Sequence, residues 1–187
     1  MDRLLPINRL EDIPLQYRDT PIGLLLEYHN LGRPFEPYTR ARLLIGMCMD
    51  NRKVLRTPDN FAYVIRAGGA NLRYSEFKVS FALAVGGAEA IVVVGHTNCG
   101  MSGLIHKREQ FITGLIEQAG WERERAEEHF NQFAPMFEIG NVIDFTAGEA
   151  RRLNDRYPKI QVAPMIYRTE DNLLYMIREN WERKSLT

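Results

Sequence analysis

Four short apolar runs constrain the fold of this chain more than any other feature. Each run is rich in β-branched or aromatic residues, as strands buried on both faces of a sheet are. They are ARLLIGM from position 41, FAYVIRA from position 61, AIVVVG from position 90 and IQVAPMIY from position 160. Stretches with helical character lie between them. Strands that alternate with helices need right-handed crossovers, so the sequence predicts an α/β fold with a mainly parallel central sheet flanked by helices.

The predicted helices carry start and stop signals. The stretch 75–87 opens on a serine, places two phenylalanines four residues apart and closes on two glycines, which is typical of a capped helix. Further helices are predicted within 103–118, 121–137 and 141–158. No internal repeat and no Gly/Ser-rich linker interrupts the chain, which predicts a single domain.

Composition narrows the class of partner. Lysine and arginine together number 24, as do aspartate and glutamate. This balance favours neither nucleic acid nor an anionic membrane, so the predicted partner is a small molecule. The sequence has no apolar run of about 18 residues and no signal-peptide core near its start, which predicts a cytoplasmic protein. In a reducing cytosol, its two cysteines are more commonly used for metal binding or catalysis than for a disulfide.

Reactive side chains follow directly after two of the apolar runs. Cys48 opens the motif CMDNR, and His96 and Cys99 lie in GHTNCG. Parallel sheets bind ligands at the carboxyl ends of their strands, where both motifs are expected. If the two strands are neighbours, these residues form a Cys2His zinc site whose fourth position is left for water, as in catalytic sites. The alternative is that the cysteines are small buried apolar residues and the histidine is an ordinary strand-end residue.

Two charged residues follow Cys48 in the same motif. In an extended chain, Asp50 and Arg52 would lie on the same side as Cys48. Because two thiolates cancel the formal charge of zinc, its bound water needs further help to react. A carboxylate held ionised by arginine can accept a hydrogen bond from zinc-bound hydroxide and turn the oxygen lone pair toward a substrate. The predicted catalytic pair is therefore Asp50 and Arg52; Asp50 could instead occupy the fourth zinc position, or the two could form a structural ion pair.

The paired motifs resemble those of the β class of carbonic anhydrases, in which Cys-x-Asp-x-Arg is followed by His-x-x-Cys-Gly. The likeness continues through YVIRAGGANL and SEFKVSFALAVGG and covers roughly 40–176. The resemblance implies a β-carbonic-anhydrase-like fold, Zn²⁺ on Cys48, His96 and Cys99, and an active unit no smaller than a dimer. The division that follows is an N-terminal helical arm at 1–39, a core at 40–176 and a tail at 177–187.

The resemblance also implies a function. The expected reaction is reversible hydration of carbon dioxide to bicarbonate by zinc-bound hydroxide, oriented by Asp50 and Arg52. The N–H of Gly100 is the expected donor to a substrate oxygen, unless this glycine serves only a tight turn. A hydrolase of carbonyl sulfide or carbon disulfide is the alternative enzyme, and Met101 is compatible with the narrower apolar pocket it needs. A further alternative is a zinc-binding sensor or assembly protein without turnover.

The N-terminal arm carries an apolar stripe that includes Ile22, Leu25 and Leu26. In the resembled family, such helices lie across a partner subunit. The stripe therefore predicts a homodimer or a dimer-built oligomer with a largely apolar interface. The alternative is a helix that folds back on its own sheet.

Overall fold

A single mixed sheet organises the computed structural model, which describes residues 3–178. In these residues its six strands are β1 (Leu4–Pro6), β2 (Leu43–Met47), β3 (Ala62–Arg66), β4 (Ala90–His96), β5 (Gln161–Arg168) and β6 (Leu173–Ile177). They lie in the order β1-β6-β5-β4-β2-β3. Strands β3, β2, β4 and β5 are parallel, whereas β6 and β1 are antiparallel to their neighbours. The predicted mainly parallel α/β sheet is confirmed.

Five α-helices accompany the strands in the described part of the chain. They are α1 (Pro21–His29), α2 (Glu76–Ala84), α3 (Arg108–Ala119), α4 (Arg123–Phe137) and α5 (Val142–Arg156). Local signals explain their starts: the Thr20 hydroxyl accepts a hydrogen bond from Gly23 N–H at α1, and the Asn141 side chain caps α5. Each predicted helical stretch overlaps one of α2 to α5, and α3 ends one residue beyond its predicted stretch. None of these helices has the length and apolar composition that crossing a bilayer requires.

The central strands of the sheet are covered on both faces, which explains why they are continuous apolar runs. Strands β2 and β4 are buried along their whole length. Alternate residues of each strand enter two different apolar clusters, one with α1 and one with α2 and α5. Gly95 allows α5 to approach β4 closely, because a Cβ at this position would lie 2.2 Å from the hydroxyl oxygen of Thr146.

The N-terminal helix packs on the sheet of its own chain. Ile22, Leu25 and Leu26 are fully buried and belong to the same apolar cluster as the central strands. Strand β1 also joins the sheet, with Leu4 opposite Ile177. The expectation that this stripe lies across a partner subunit is therefore wrong, because the sheet already covers it. Most of the predicted tail lies outside the described residues.

An ion pair joins the starts of β2 and β4. Arg42 Nε and Nη2 donate to the two carboxylate oxygens of Glu89 at 3.1 and 2.8 Å. The N–H of Glu89 donates in turn to the carbonyl of Arg42 at 2.8 Å. These contacts match the strand register, in which Met47 lies opposite Val94. The two strands therefore end at the same edge of the sheet, where the predicted site residues follow.

Replacing Glu89 by glutamine should destabilise the protein at neutral pH by about 0.5–1 kcal/mol, a small effect because the pair is partly exposed and screened by solvent. Hydrogen bonds from Arg42 lower the pKa of Glu89 below its ordinary value of 4.5. The contribution is therefore complete above about pH 4.5 and is lost as the pH falls through the lower pKa of the folded state. Urea unfolding of both proteins at several pH values would measure it. A stability difference that grew in acid would contradict this account.

Candidate metal centre

The two motifs meet at the carboxyl ends of β2 and β4. These strands are direct neighbours, and β3 lies on the other side of β2. The chain connections therefore diverge between β2 and β4, and parallel sheets bind ligands at such a point. The neighbouring strands that the metal-site prediction required are present.

Three side chains converge at this edge of the sheet. The ligand atoms of Cys48, His96 and Cys99 all lie within 4.8 Å of one another, and all three residues are buried. The two Sγ atoms are 3.9 Å apart. A tetrahedral ion with metal–sulfur bonds of about 2.3 Å would separate two ligand sulfurs by about 3.8 Å. The observed spacing fits that requirement, so the cluster is compatible with a bound metal ion.

The orientation of His96 leaves one ring nitrogen free. Its Nδ1 lies 2.8 Å from the carbonyl oxygen of Thr97, an acceptor only, so Nδ1 donates and Nε2 carries the lone pair. Nε2 is buried and has no hydrogen-bond partner among residues 3–178. A buried polar atom without a partner is unfavourable, and a metal ion would satisfy it. A backbone carbonyl that fixes the tautomer in this way is typical of metal-binding histidines.

The two thiols share a hydrogen bond that separates their acidities. Their mutual hydrogen bond lowers the pKa of Cys48 and raises the pKa of Cys99, which burial raises further. One thiolate is thus available before a cation binds, and a cation can replace the remaining proton. The two cysteines are therefore suited to binding a metal cation.

Asp50 and Arg52 form an ion pair within a tight turn. Asp50 Oδ1 accepts a hydrogen bond from the backbone N–H of Arg52 at 3.0 Å. The guanidinium contacts both carboxylate oxygens at 2.6 to 3.1 Å. The prediction that the chain stays extended after Cys48 is wrong. Asp50 accepts a hydrogen bond from the backbone N–H two residues on, and this contact produces a turn. The turn, and not an extended strand, places the Arg52 guanidinium against the Asp50 carboxylate.

The Asp50 carboxylate lies next to the cluster. Its Oδ2 is 3.8 Å from Nε2 of His96. Hydrogen bonds from Arg52 hold the pKa of Asp50 well below its usual range, so the group is ionised at neutral pH. Arg52 Nη2 also donates to the carbonyl of Asn98 at 3.0 Å and thereby joins the two motif loops. An ionised acceptor is therefore held beside the three candidate ligands.

The residues after the second cysteine form one side of the centre. Gly100 does not have a positive φ, and a Cβ at this position would meet only Lys107 Nζ, at 3.9 Å. Its backbone is thus not one that requires glycine, and the role of its N–H as a donor to substrate stays a prediction. Met101 packs beside Gly68 and belongs, with Ile139, to the apolar cluster around the two cysteines.

Two cations behind the first motif were not predicted from the sequence. Arg66, the last residue of β3, donates to the carbonyls of Cys48 and Asp50 at 3.3 Å each and of Lys53 at 3.2 Å. Lys53 is fully buried, and its Nζ donates to the Asp50 carbonyl at 2.9 Å. Arg66 could have been found from the sequence, because a charged residue at the end of an apolar strand indicates a role at the edge of the sheet. Nothing local signals Lys53, because a lysine in a polar turn is usually exposed.

Solved structures with this fold include carbonic anhydrases of the β class. The β-carbonic anhydrase isoform I from Trichomonas vaginalis has a TM-score of 0.64 over 81% of this chain and 91% of its own, at 18% identity. The carbonic anhydrase from Glaciozyma antarctica has a TM-score of 0.61 over 75% and 85%, at 21% identity. A carbon disulfide hydrolase in its apo form has a TM-score of 0.54 over 79% and 84%, at 18% identity. No protein-family model and no curated protein sequence matches the chain.

The fold and the site define an α/β protein with a buried cluster of two cysteines and one histidine at the switch point of its sheet. More specifically, the fold is β-carbonic-anhydrase-like. The resemblance predicted from CMDNR and GHTNCG is confirmed at the level of the fold.

Replacing Cys48 by serine should greatly weaken metal binding, because a hydroxyl is a far poorer ligand than a thiolate. With two ligands left, the metal dissociation constant should rise by at least about 100-fold. Competition with a chromogenic chelator would measure it. The control is His106→Asn, which removes an exposed histidine outside the cluster and should keep the wild-type affinity. Wild-type affinity in Cys48→Ser would remove Cys48 from the ligand set.

Proposed function

We propose that this protein is a cytoplasmic, zinc-dependent carbonic anhydrase that interconverts carbon dioxide and bicarbonate. The observation that carries the proposal is the buried cluster of Cys48, His96 and Cys99 with an ionised carboxylate held beside it. The similarity of the fold to β-carbonic anhydrases supports the same class of reaction.

Zinc is the metal that these donors favour. Two thiolates and one imidazole suit Zn²⁺, and three protein ligands are the number found in catalytic zinc sites. Bound there, zinc would act as a Lewis acid that makes water nucleophilic near neutral pH.

The surrounding residues position the reactants. Ionised Asp50 can only accept hydrogen bonds, so it takes one from the attacking water and directs the oxygen lone pair toward the substrate carbon. Arg52 holds the carboxylate in that orientation through its contacts with both oxygens. The Gly100 N–H is the proposed donor to a substrate oxygen. The apolar side chains of Met101 and Ile139 limit the access of bulk water.

A hydrolase of carbonyl sulfide or carbon disulfide is the second candidate. Two observations favour it: the similarity of the fold to a carbon disulfide hydrolase, and the apolar wall that Met101 and Ile139 form beside the cysteines. Both substrates are small, linear and weakly polar, so an apolar wall suits them at least as well as carbon dioxide.

A stopped-flow assay of the zinc-loaded protein with all three substrates tests the proposal. Rapid hydration of carbon dioxide would support it. Turnover confined to carbonyl sulfide or carbon disulfide would identify the second candidate. Stoichiometric zinc without turnover of any substrate would instead indicate a zinc-binding sensor or assembly protein.

Substitutions of the ion pair should separate catalysis from metal binding. Asp50→Asn and Arg52→Ala should both retain zinc, because neither residue belongs to the ligand cluster. Turnover should fall by about 100-fold or more in each, since one variant cannot orient the water and the other leaves the carboxylate unheld. Zinc content and stopped-flow rates measure the two properties separately. Zinc-loaded variants with wild-type rates would reduce the two residues to a structural ion pair.

An apolar surface on the opposite side from α1 supports the predicted dimer. It consists of exposed side chains on edge strand β3 and on and just after helix α2, and they flank a groove of about 240 Å³. The main ones are Tyr63, Phe77, Phe81 and Val85, which are 40%, 81%, 51% and 70% exposed. An exposed apolar patch beside an unpaired strand edge is unfavourable in a monomer, and a second copy of the same surface would cover it.

Replacing Phe81 by glutamate should therefore disrupt the dimer while the helix is kept, because glutamate is a good helix former. The dimer dissociation constant should rise by about 100-fold. Light scattering across a concentration series would measure it. The control is Leu15→Glu, which alters an apolar residue that is 78% exposed outside this surface. A wild-type protein that stays monomeric at micromolar concentration would refute the predicted dimer.

A further inference from the structure

Lys53 is a fully buried lysine directly behind the candidate metal centre. Its Nζ donates a hydrogen bond to the backbone carbonyl of Asp50 at 2.9 Å. The same nitrogen lies 3.6 Å from Oδ1 of the Asp50 carboxylate. One ammonium group therefore contacts both the main chain and the side chain of Asp50.

Burial makes the charge of Lys53 unfavourable unless nearby negative groups compensate it. Burial lowers the pKa of Lys53, and the nearby Arg66 guanidinium adds to that effect. The Cys48 thiol, then the Asp50 carboxylate and the Cys99 thiol, act in the opposite direction. The carboxylate of Asp50 is the one in ion-pair contact with Lys53 among the described residues. An apolar side chain of similar length would fill this space at a lower desolvation penalty, so the charge points to a task at Asp50.

Asp50 is held from two sides. Arg52, whose side chain is half exposed, contacts both carboxylate oxygens from outside, whereas Lys53 contacts Oδ1 from the interior. Between these two cations the carboxylate stays 3.8 Å from Nε2 of His96. A tetrahedral ion with metal–nitrogen and metal–oxygen bonds of about 2.1 Å separates those two ligand atoms by about 3.4 Å, so a small rotation of Asp50 would make it a fourth ligand.

We propose that Lys53 is a positioning residue that retains the Asp50 carboxylate with Arg52 and so keeps the fourth coordination position open to small molecules. The proposal rests on the metal centre of the proposed function. It assigns to the interior cation a task that the exposed Arg52 cannot perform alone, since Arg52 can follow the carboxylate as it moves. Loss of Lys53 should therefore favour coordination by Asp50.

The test is anion binding to the Co²⁺-substituted protein, followed by visible absorption. In the wild type, azide should enter the open position and change the cobalt d–d bands. In Lys53→Met, Asp50 should compete for that position, so the azide dissociation constant should rise by at least about tenfold while the bound cobalt is retained. The control is Lys159→Met. It removes an exposed lysine just before β5, at the end of the parallel strands opposite the metal centre, and should bind azide as the wild type does.

The double variant Asp50→Asn with Lys53→Met distinguishes positioning from general disruption. Because a neutral amide is a poor ligand for the metal, azide binding should return to within about threefold of the Asp50→Asn single variant. Failure of the double variant to recover, or wild-type azide binding in Lys53→Met, would overturn the proposal. If Lys53→Met does not fold, Lys53→Gln keeps a donor for the Asp50 carbonyl without the charge, and the same weakening of azide binding is expected.

The outcome is separable from that of the proposed function, because no substrate turnover is measured. A wild-type protein that binds cobalt and azide but does not hydrate carbon dioxide would refute the proposed reaction and leave the role of Lys53 intact. A wild-type protein that does not bind cobalt would refute both.

Discussion

Parallel pairing of β2 with β4 is the constraint on which the site depends. Each strand ends in a motif loop, and the register places Met47 opposite Val94. Because side chains alternate along a strand, a slip of one residue would exchange the side chains of that strand between the two apolar clusters, one on each face of the sheet. The ion pair of Arg42 with Glu89 supports this register at the opposite end. Cys48 and His96 are neighbours because the strands before them cannot slide.

The loops beyond the strands are held mainly by cations bound to carbonyl oxygens. Arg52 reaches the carbonyl of Asn98 across the two motifs, and Arg66 binds three carbonyls of the first loop. Lys53 binds Asp50 from the interior. Such contacts restrict the backbone of a loop that has no regular structure. The candidate ligands therefore have a preorganised setting, as functional sites require.

Helix α1 covers one face of the sheet, whereas apolar side chains of β3 and α2 have no cover within the described part of the chain. Helix α1 and strand β1 complete the core of their own chain, so the apolar stripe of α1 is not available to a partner. The apolar side chains of β3 and α2 remain exposed instead. The proposed dimer interface therefore lies at the far edge of the sheet and not at the N-terminal helix, because that edge is where apolar side chains are exposed.

Local pattern alone determined much of this protein. Apolar runs predicted β2 to β5, helix signals predicted α2 to α5, and the spacing of the two motifs predicted the cluster of Cys48, His96 and Cys99. Periodicity and spacing suffice for these features because each depends on residues close together in the chain or on strand ends that share an edge. Tertiary structure decided the rest: which surface covers α1, how the turn at Asp50 closes, and why Lys53 is buried. Those outcomes depend on contacts between distant segments, and no local pattern records which segments will meet.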